Sequence, residues 1–261
     1  MKILNRTLQL MVASGAAFLA PGVFAQTFNF NDTDLMLVLR QGNNAGNDLE
    51  VDIGNISYYK SLGAGLTINI SNYTAADYTG SFSSANALKF DVMGGDRTVS
   101  TATSSTLWVT KGRATATTQS SPWVPASQSS QDNTVANIYA ATDAAKVFSP
   151  ALRSTATAIP TTDPLSYNTK EGTTGLLGNS FQGSIEKLTP STNGWTFVRS
   201  DLYELVPGAG SASFLGYFDF FPDGHTTYTV AVPEPATLGL FAIGGVLGAV
   251  HVIRRRKSGK L

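Results

Sequence analysis

The chain has 261 residues with no cysteine and two histidines, and its 18 basic and 18 acidic residues give a formal net charge of zero. Without Cys or His clusters the sequence lacks the usual ligands of zinc sites, and it offers no disulfide framework. A domain of this size buries enough apolar surface to fold without disulfides.

The first 25 residues are predicted to form a secretory signal peptide. Lys2 and Arg6 provide a basic start, and residues 8–20 form a mostly apolar stretch that is too short for a standard membrane span. The small residue Ala25 predicts cleavage before Gln26. We therefore expect the chain to be exported, and we leave this segment out of the fold prediction.

The body, residues 26–231, alternates short apolar runs with turn-forming residues, which predicts a β-rich extracytoplasmic domain. Residues 35–39 form a continuous apolar strand, whereas residues 49–53 alternate with the period of two that is typical of a half-buried strand. Further candidate strands are residues 66–70, 88–92, 106–110, 195–199, 202–206, 214–221 and 226–230. Pro222-Asp223-Gly224 predicts a hairpin turn between the last two. The pattern favours an antiparallel, jelly-roll-like β-sandwich.

Four segments depart from the strand pattern. Residues 134–148 carry a helical stripe with Asp132 or Asn133 as the N-cap, and residues 176–188 are a weaker helix candidate. Residues 114–131 and 149–174 are rich in Ser, Thr and Pro and are predicted to be long loops. We therefore expect one or two short helices inserted into the β-sandwich.

The tail, residues 232–261, combines three features in a fixed order. It opens with Val232, Pro233, Glu234 and Pro235. The two prolines keep this segment extended and accessible. Residues 236–253 carry no charge and would form a helix about 27 Å long, a minimal span for a hydrocarbon core of about 30 Å. The tail continues with the cations Arg254, Arg255, Arg256 and Lys257. These cations are expected to stay in the cytoplasm, which places the body across the membrane.

This tail resembles the PEP-CTERM sorting signal, the recognition element of bacterial exosortase systems. The resemblance covers residues 232–257 and implies cleavage near Pro233–Pro235 by a membrane-embedded exosortase, which supplies the catalytic residues. It further implies a protein that is anchored in the inner membrane, then delivered to the cell surface or extracellular matrix and associated with biofilm or exopolysaccharide. An ordinary C-terminal anchor is the alternative, but it does not account for the Pro-Glu-Pro segment.

The charge of the body differs from that of the whole chain. The two terminal segments contain seven of the basic residues and one acidic residue, so the body keeps 11 basic and 17 acidic residues and a formal charge of −6. A mildly acidic domain is a poor partner for nucleic acids and for anionic membrane surfaces. We therefore expect no nucleic-acid partner.

Catalytic and metal-binding patterns are sparse in the body. His225 is its one histidine and follows a turn glycine, and a hydrolase would need His225 or the pair Asp219 and Asp223 to line a cleft. The weak candidates for a structural calcium are Asp32, Asp34, Asp48 and Asp52, with Glu50 beside them. The alternative is that these acids form turns or occupy a solvated strand face. No cofactor and no enzymatic activity are predicted.

Aromatic side chains leave a binding function open. Exposed aromatic rings can bind sugars, and the candidates are Trp108, Trp123, Trp195, Tyr58, Tyr59, Tyr217 and Tyr228. Trp108 and Trp195 lie in predicted strands and are expected in the core, whereas Trp123 lies in a Ser/Pro loop where burial is less assured. The sequence thus favours an exported, non-enzymatic surface or matrix protein. A carbohydrate-binding or adhesive module is the alternative, and a hydrolase is the least favoured.

Overall fold

The computed structural model describes residues 26–41, 46–97, 105–148, 150–169 and 185–232. These residues form ten strands and three α-helices. The strands are β1 (Asp34–Gln41), β2 (Asn47–Asn55), β3 (Thr67–Asn69), β4 (Leu88–Gly95), β5 (Leu107–Gly112), β6 (Ala156–Pro160), β7 (Lys187–Leu188), β8 (Val198–Leu205), β9 (Ser213–Phe220) and β10 (Thr226–Val230). The helices are α1 (Ile56–Ser61), α2 (Ala75–Ser81) and α3 (Gln128–Val147).

All ten strands belong to one antiparallel sheet in the order β3-β10-β9-β8-β5-β4-β1-β2-β6, with β7 paired to β4. The sheet curls into a half-barrel. In a flat sheet β4 and β9 would lie about 14 Å apart, because neighbouring strands are about 4.8 Å apart. Yet Phe90 of β4 and Phe220 of β9 stack with ring centroids 5.6 Å apart. The prediction of a mainly antiparallel β domain is confirmed, but the two facing sheets of a sandwich are replaced by one sheet that curls around its own core.

Both faces of the sheet are covered. On the concave face Leu35, Leu37 and Leu39 of β1 join a cluster that includes the stacked phenylalanines and residues of α1 and α2. On the convex face Met36 and Val38 pack with residues of α3 and of neighbouring loops. Because β1 is buried on both sides, its sequence is continuously apolar instead of alternating.

Most predicted strands are confirmed with small changes in their bounds. Residues 226–230 coincide with β10, and the predicted hairpin turn joins β9 to β10, with Gly224 at φ +88°. The predicted strands 195–199 and 202–206 are wrong as separate elements, because Val198–Leu205 is one strand. Ser200 and Asp201 interrupt the apolar pattern, but both are fully buried there. The strand β6 was missed because it lies in the predicted loop 149–174.

The helix predictions need larger corrections. Helix α3 begins at Gln128, six residues before the predicted start, and Ser127 occupies its N-cap position instead of Asp132 or Asn133. Its first turn therefore lies in the segment predicted as the loop 114–131. Within the other candidate, 176–188, residues 176–184 lie outside the described residues, and Lys187–Leu188 belongs to β7.

The two short helices were not predicted. Each begins at a local capping signal: the side chain of Asn55 accepts a hydrogen bond from the Ser57 amide at the start of α1. Thr74 and Asp77 form a capping box at the start of α2. None of the helices in the described part of the chain is both long and apolar enough to span a membrane. The predicted signal peptide and the predicted span at 236–253 lie outside the described residues.

Candidate functional site

The folded domain is hydrogen-bonded almost to the start of the Pro-Glu-Pro segment. Strand β10 lies between β9 and the edge strand β3. Beyond its end, the Ala231 amide donates to the Leu215 carbonyl at 3.0 Å, and this is the last backbone hydrogen bond of the described chain before residue 233. Val232 is 62% exposed and lies beside Gly65. Hence one residue separates the last hydrogen-bonded position from Pro233.

A cavity of about 550 Å³ opens where the chain leaves the domain. Its lining consists of Tyr59, Lys60, Gln119, Phe214, Leu215, Tyr228, Val230, Ala231 and Val232. The rings of Tyr59 and Tyr228 meet edge to face with centroids 5.1 Å apart, and the Tyr228 hydroxyl donates to the Leu215 carbonyl. The Lys60 ammonium lies 2.6 Å from a carboxylate oxygen of Glu204, which balances its charge. The cavity is therefore mainly aromatic and aliphatic, with one amide and one paired cation.

Residues 231–257 match the PEP-CTERM protein-sorting motif. The chain carries a PEP-CTERM sorting motif. This motif indicates a secreted protein that is targeted to a membrane exosortase and processed on its way towards the cell surface. Neither a curated protein nor a solved structure matches the chain.

The residues predicted for sorting fall on both sides of the boundary of the described chain. Val232 is described and is the last residue before that boundary. The others lie outside the described residues: Ala25, Pro233, Glu234, Pro235, Arg254, Arg255, Arg256 and Lys257. Gln26, which follows the predicted signal-peptide cleavage site, is exposed, and its carbonyl accepts a hydrogen bond from the Ala151 amide at 3.0 Å. The described chain is thus anchored in the fold from its first residue.

The four calcium candidates do not meet at one place. Asp34 accepts from the Asn31 amide and Asp52 from the Gly54 amide, so these two carboxylates lie near one end of the β1–β2 pair, where Asp32 also lies. Asp48 lies four residues from Asp52 along β2, about 13 Å away in an extended strand. Among the described residues no group of three or more His, Cys, Asp or Glu could hold a metal ion.

The acids of β2 are buried, not solvated. Asp48 and Glu50 are fully inaccessible, and the segment that carries Tyr167 and Asn168 covers them. The Asn168 amide donates to Asp48 at 2.6 Å, and the Tyr167 amide donates to Glu50 at 2.9 Å. The interpretation of a solvated acidic strand face is therefore wrong, because a loop distant in sequence packs over it.

Further charged groups complete this acidic cluster of Asp48, Glu50, Asp91 and Glu186. Arg40 of β1 donates to both carboxylate oxygens of Glu186, at 2.5 and 2.9 Å. The Tyr167 hydroxyl donates to Asp91 at 3.1 Å. The sequence does contain one sign of this arrangement: Arg40 follows the apolar run of β1, and in a hairpin with β2 its side chain falls on the same face as Asp48.

Burial dominates the electrostatics of the acidic cluster. It raises the pKa of Asp48 to about 7, although the Asn168 amide and Arg40 act in the opposite direction. Burial and the neighbouring Asp48 raise the pKa of Glu50 well above its ordinary value. Near neutral pH, Asp48 and Glu50 therefore hold protons that their carboxyls would lose in water.

The carboxylates proposed for hydrolysis have other partners. Asp219 accepts hydrogen bonds from Nε and Nη2 of Arg199 on its two carboxylate oxygens, at 2.6 and 2.7 Å. Asp223 lies in the β9–β10 turn next to His225, and hydrogen bonds from that histidine hold the pKa of Asp223 below its ordinary value, although burial acts to raise it. The His225 ring stacks on Phe221 at 3.9 Å. Within the described chain, Nδ1 of His225 is hydrogen-bonded to Asp223 and not to a hydroxyl.

The tryptophans are embedded in the domain. Trp108 is 5% exposed and donates to Glu204, which confirms its expected place in the core. Trp123 is equally buried although it lies in a loop, because its indole packs against the convex face and donates to the Thr110 carbonyl. Trp195 is half-buried against the concave cluster.

Of the tyrosine candidates, Tyr59 and Tyr228 are buried and line the cavity. Tyr217 is half-buried beneath Arg199, whose guanidinium carbon lies 3.7 Å from the ring centroid. Tyr58 is the exposed candidate, at 53%. Within the described residues, the predicted aromatic side chains therefore lie mainly in the core and in the cavity wall. Tyr58 is the one member of the set whose ring is mostly exposed to solvent.

Proposed function

We propose that this chain is a non-enzymatic protein of the cell surface or extracellular matrix that is associated with exopolysaccharide or biofilm. Residues 236–253 hold it in the inner membrane with the body outside the cytoplasm. A membrane-embedded exosortase then cleaves near Pro233–Pro235 and releases the domain. The observation that supports this proposal most directly is the position of the motif, whose match begins at the last hydrogen-bonded residue, Ala231.

The contacts of the polar residues support a non-enzymatic role. A hydrolytic centre needs a base within hydrogen-bond reach of a nucleophile or of a bound water. Here Asp219 is neutralised by Arg199, and His225 is bonded to Asp223 on an exposed turn. The acidic cluster is closed to solvent at Asp48 and Glu50, so a substrate cannot reach those carboxyls in the folded domain.

Immunoblotting of cell fractions tests the sorting step. The full chain is expressed in cells with and without the exosortase, beside a variant in which Pro233, Glu234 and Pro235 are replaced by alanine. We expect a shorter, surface or extracellular form only when the intact motif and the exosortase are both present. A product of the same size and location in all three samples would reject the proposal.

The cavity favours a carbohydrate-binding module as the second candidate. It combines the aromatic rings of Tyr59, Phe214 and Tyr228 with the amide of Gln119, a composition that suits a sugar ring with its apolar face and its hydroxyls. Retention of the full chain on exopolysaccharide columns tests it, with Gln119→Ala as the variant. Equal elution of both proteins with the unretained fraction would exclude this candidate.

A further inference from the structure

Several exposed apolar side chains lie where the chain leaves the domain. The described residues include seven large apolar side chains that are exposed, and Tyr58, Leu66 and Val232 are three of them. Tyr58 contacts the ring of Tyr59 in the cavity wall, with centroids 5.5 Å apart. The Leu66 carbonyl accepts a hydrogen bond from the Val230 amide, and Val232 follows Val230 by two residues. We call these three residues, together with the half-buried Phe214 and Leu215 of the cavity lining, the exit surface.

The connection between the exit surface and the sorting segment is short. Four residue steps lead from Val232 to residue 236, where the uncharged stretch begins, and they span at most about 14 Å. The polar layer of one leaflet is roughly 5–8 Å thick. With residues 236–253 in the bilayer, Val232 therefore lies within about 9 Å of the outer edge of that layer. The surface around it cannot be distant from lipid.

We propose that the exit surface rests on the lipid headgroup layer of the membrane until the chain is cleaved, through apolar and aromatic contacts. This inference rests on the proposed membrane insertion of residues 236–253. Tyrosine rings suit this layer because they offer an apolar body together with a polar hydroxyl. The apolar side chains of Leu66 and Val232 add area that can be buried at the boundary between headgroups and acyl chains. The one charged side chain in the cavity lining, Lys60, is paired with Glu204, so the contact does not depend on anionic lipid. An acidic domain can thus lie on a neutral bilayer.

Fluorescence quenching in vesicles tests this contact directly. The chain contains no cysteine, so each introduced cysteine is a unique site for a fluorophore. The full chain is reconstituted in phosphatidylcholine vesicles that contain no exosortase, with nitroxide lipids labelled either in the headgroup region or deep in the acyl chains. The variants are Tyr58→Cys and Leu66→Cys on the exit surface, and Ala242→Cys in the predicted span. Val147→Cys is the control, because Val147 is an exposed apolar residue at the end of α3 and is not part of the exit surface.

We expect shallow nitroxides to quench the labels at positions 58 and 66 at least twofold more than the label at position 147, and deep nitroxides to quench the label at position 242. Raising the salt concentration should leave this pattern unchanged. Deep quenching at position 242 with equal quenching at 58, 66 and 147 would overturn the inference and leave the proposed anchoring intact. A label at position 242 that no nitroxide quenches would overturn both.

Discussion

The buried carboxyl of Asp48 leads to a prediction about pH. Its pKa rises from 3.8 to about 7, chiefly through burial. Between these two pH values the folded chain keeps a proton that the unfolded chain has already lost. The contribution of Asp48 to stability is therefore complete below pH 4 and is lost as the pH rises through 7. We expect the domain to become less stable between pH 4 and pH 8.

The size of this effect follows from the pKa. A difference of about three pH units at 1.36 kcal/mol each corresponds to about 4 kcal/mol of unfolding free energy, as an upper value. Glu50 has a raised pKa and adds a loss of the same sign. Against the effect of burial, hydrogen bonds from Lys146 and Arg97 lower the pKa of Asp143, and hydrogen bonds from His225 lower the pKa of Asp223. This stabilisation is lost only when the pH falls below about 4. The stability maximum is therefore expected near pH 4–5.

The substitution Asp48→Asn isolates this effect. Asparagine keeps an acceptor oxygen for the Asn168 amide but cannot ionise. Urea unfolding of the full chain in detergent, followed by tryptophan fluorescence from pH 4 to pH 8, should give equal stabilities at pH 4 and a more stable variant at pH 8, by at most about 4 kcal/mol. Asp132→Asn on the exposed side of α3 is the control. If Asp48→Asn leaves the pH slope of the wild type unchanged, burial does not keep Asp48 protonated.

Two further substitutions and one insertion test other parts of the structure. Gly224→Ala should cost about 2–4 kcal/mol in urea unfolding, because φ is +88° and the new Cβ would lie 2.3 Å from the Tyr78 ring, whereas Gly63→Ala in open space should stay within about 0.5 kcal/mol. Thr74→Ala should cost about 1 kcal/mol by removing the capping box of α2; an unchanged midpoint would show that the cap is not needed. A twelve-residue Gly/Ser insertion after Val232 should accelerate exosortase cleavage in a pulse-chase immunoblot, and slower cleavage would contradict the short-connection argument.

The sequence predicts those elements whose signals are local. Residues 35–39 and 226–230 were predicted correctly because an apolar run or a β-branched run beside a turn determines a strand. Helix α2 could have been found from the capping pair Thr74 and Asp77, although at seven residues it is too short to show a helical period. Such short elements form mainly through contacts with the rest of the domain.

The curl of the sheet and the acidic cluster depend on contacts between distant parts of the chain. The alternation in residues 49–53 correctly predicts which side chains share a face. It cannot show that the segment around Tyr167, more than a hundred residues later, covers the face that carries Glu50. For the same reason Trp123 could not be assigned to the interior from its Ser/Pro surroundings. The motif predicted a processing site at the chain exit. The cavity beside it, lined in part by Gln119 and Phe214, could be identified only from the folded structure because its residues are distant in sequence.

The hydrogen bonds at the end of β10 determine how much chain the domain can release to a processing enzyme. Freeing Val230 and Ala231 breaks the bonds of their amides to Leu66 and Leu215 and the bond of the Gly65 amide to the Val230 carbonyl. Each costs about 0.5–1.5 kcal/mol, and the step gains about 7 Å of extended chain. Two residues inward from Val230 lies Tyr228, which is 1% exposed and packs edge to face on Tyr59. Exposing that ring costs several kcal/mol, because a buried aromatic loses both its apolar burial and its ring contacts. An exosortase that needs more than these two residues would have to unfold the last strand, so cleavage of the folded protein is confined to the few residues that follow Tyr228.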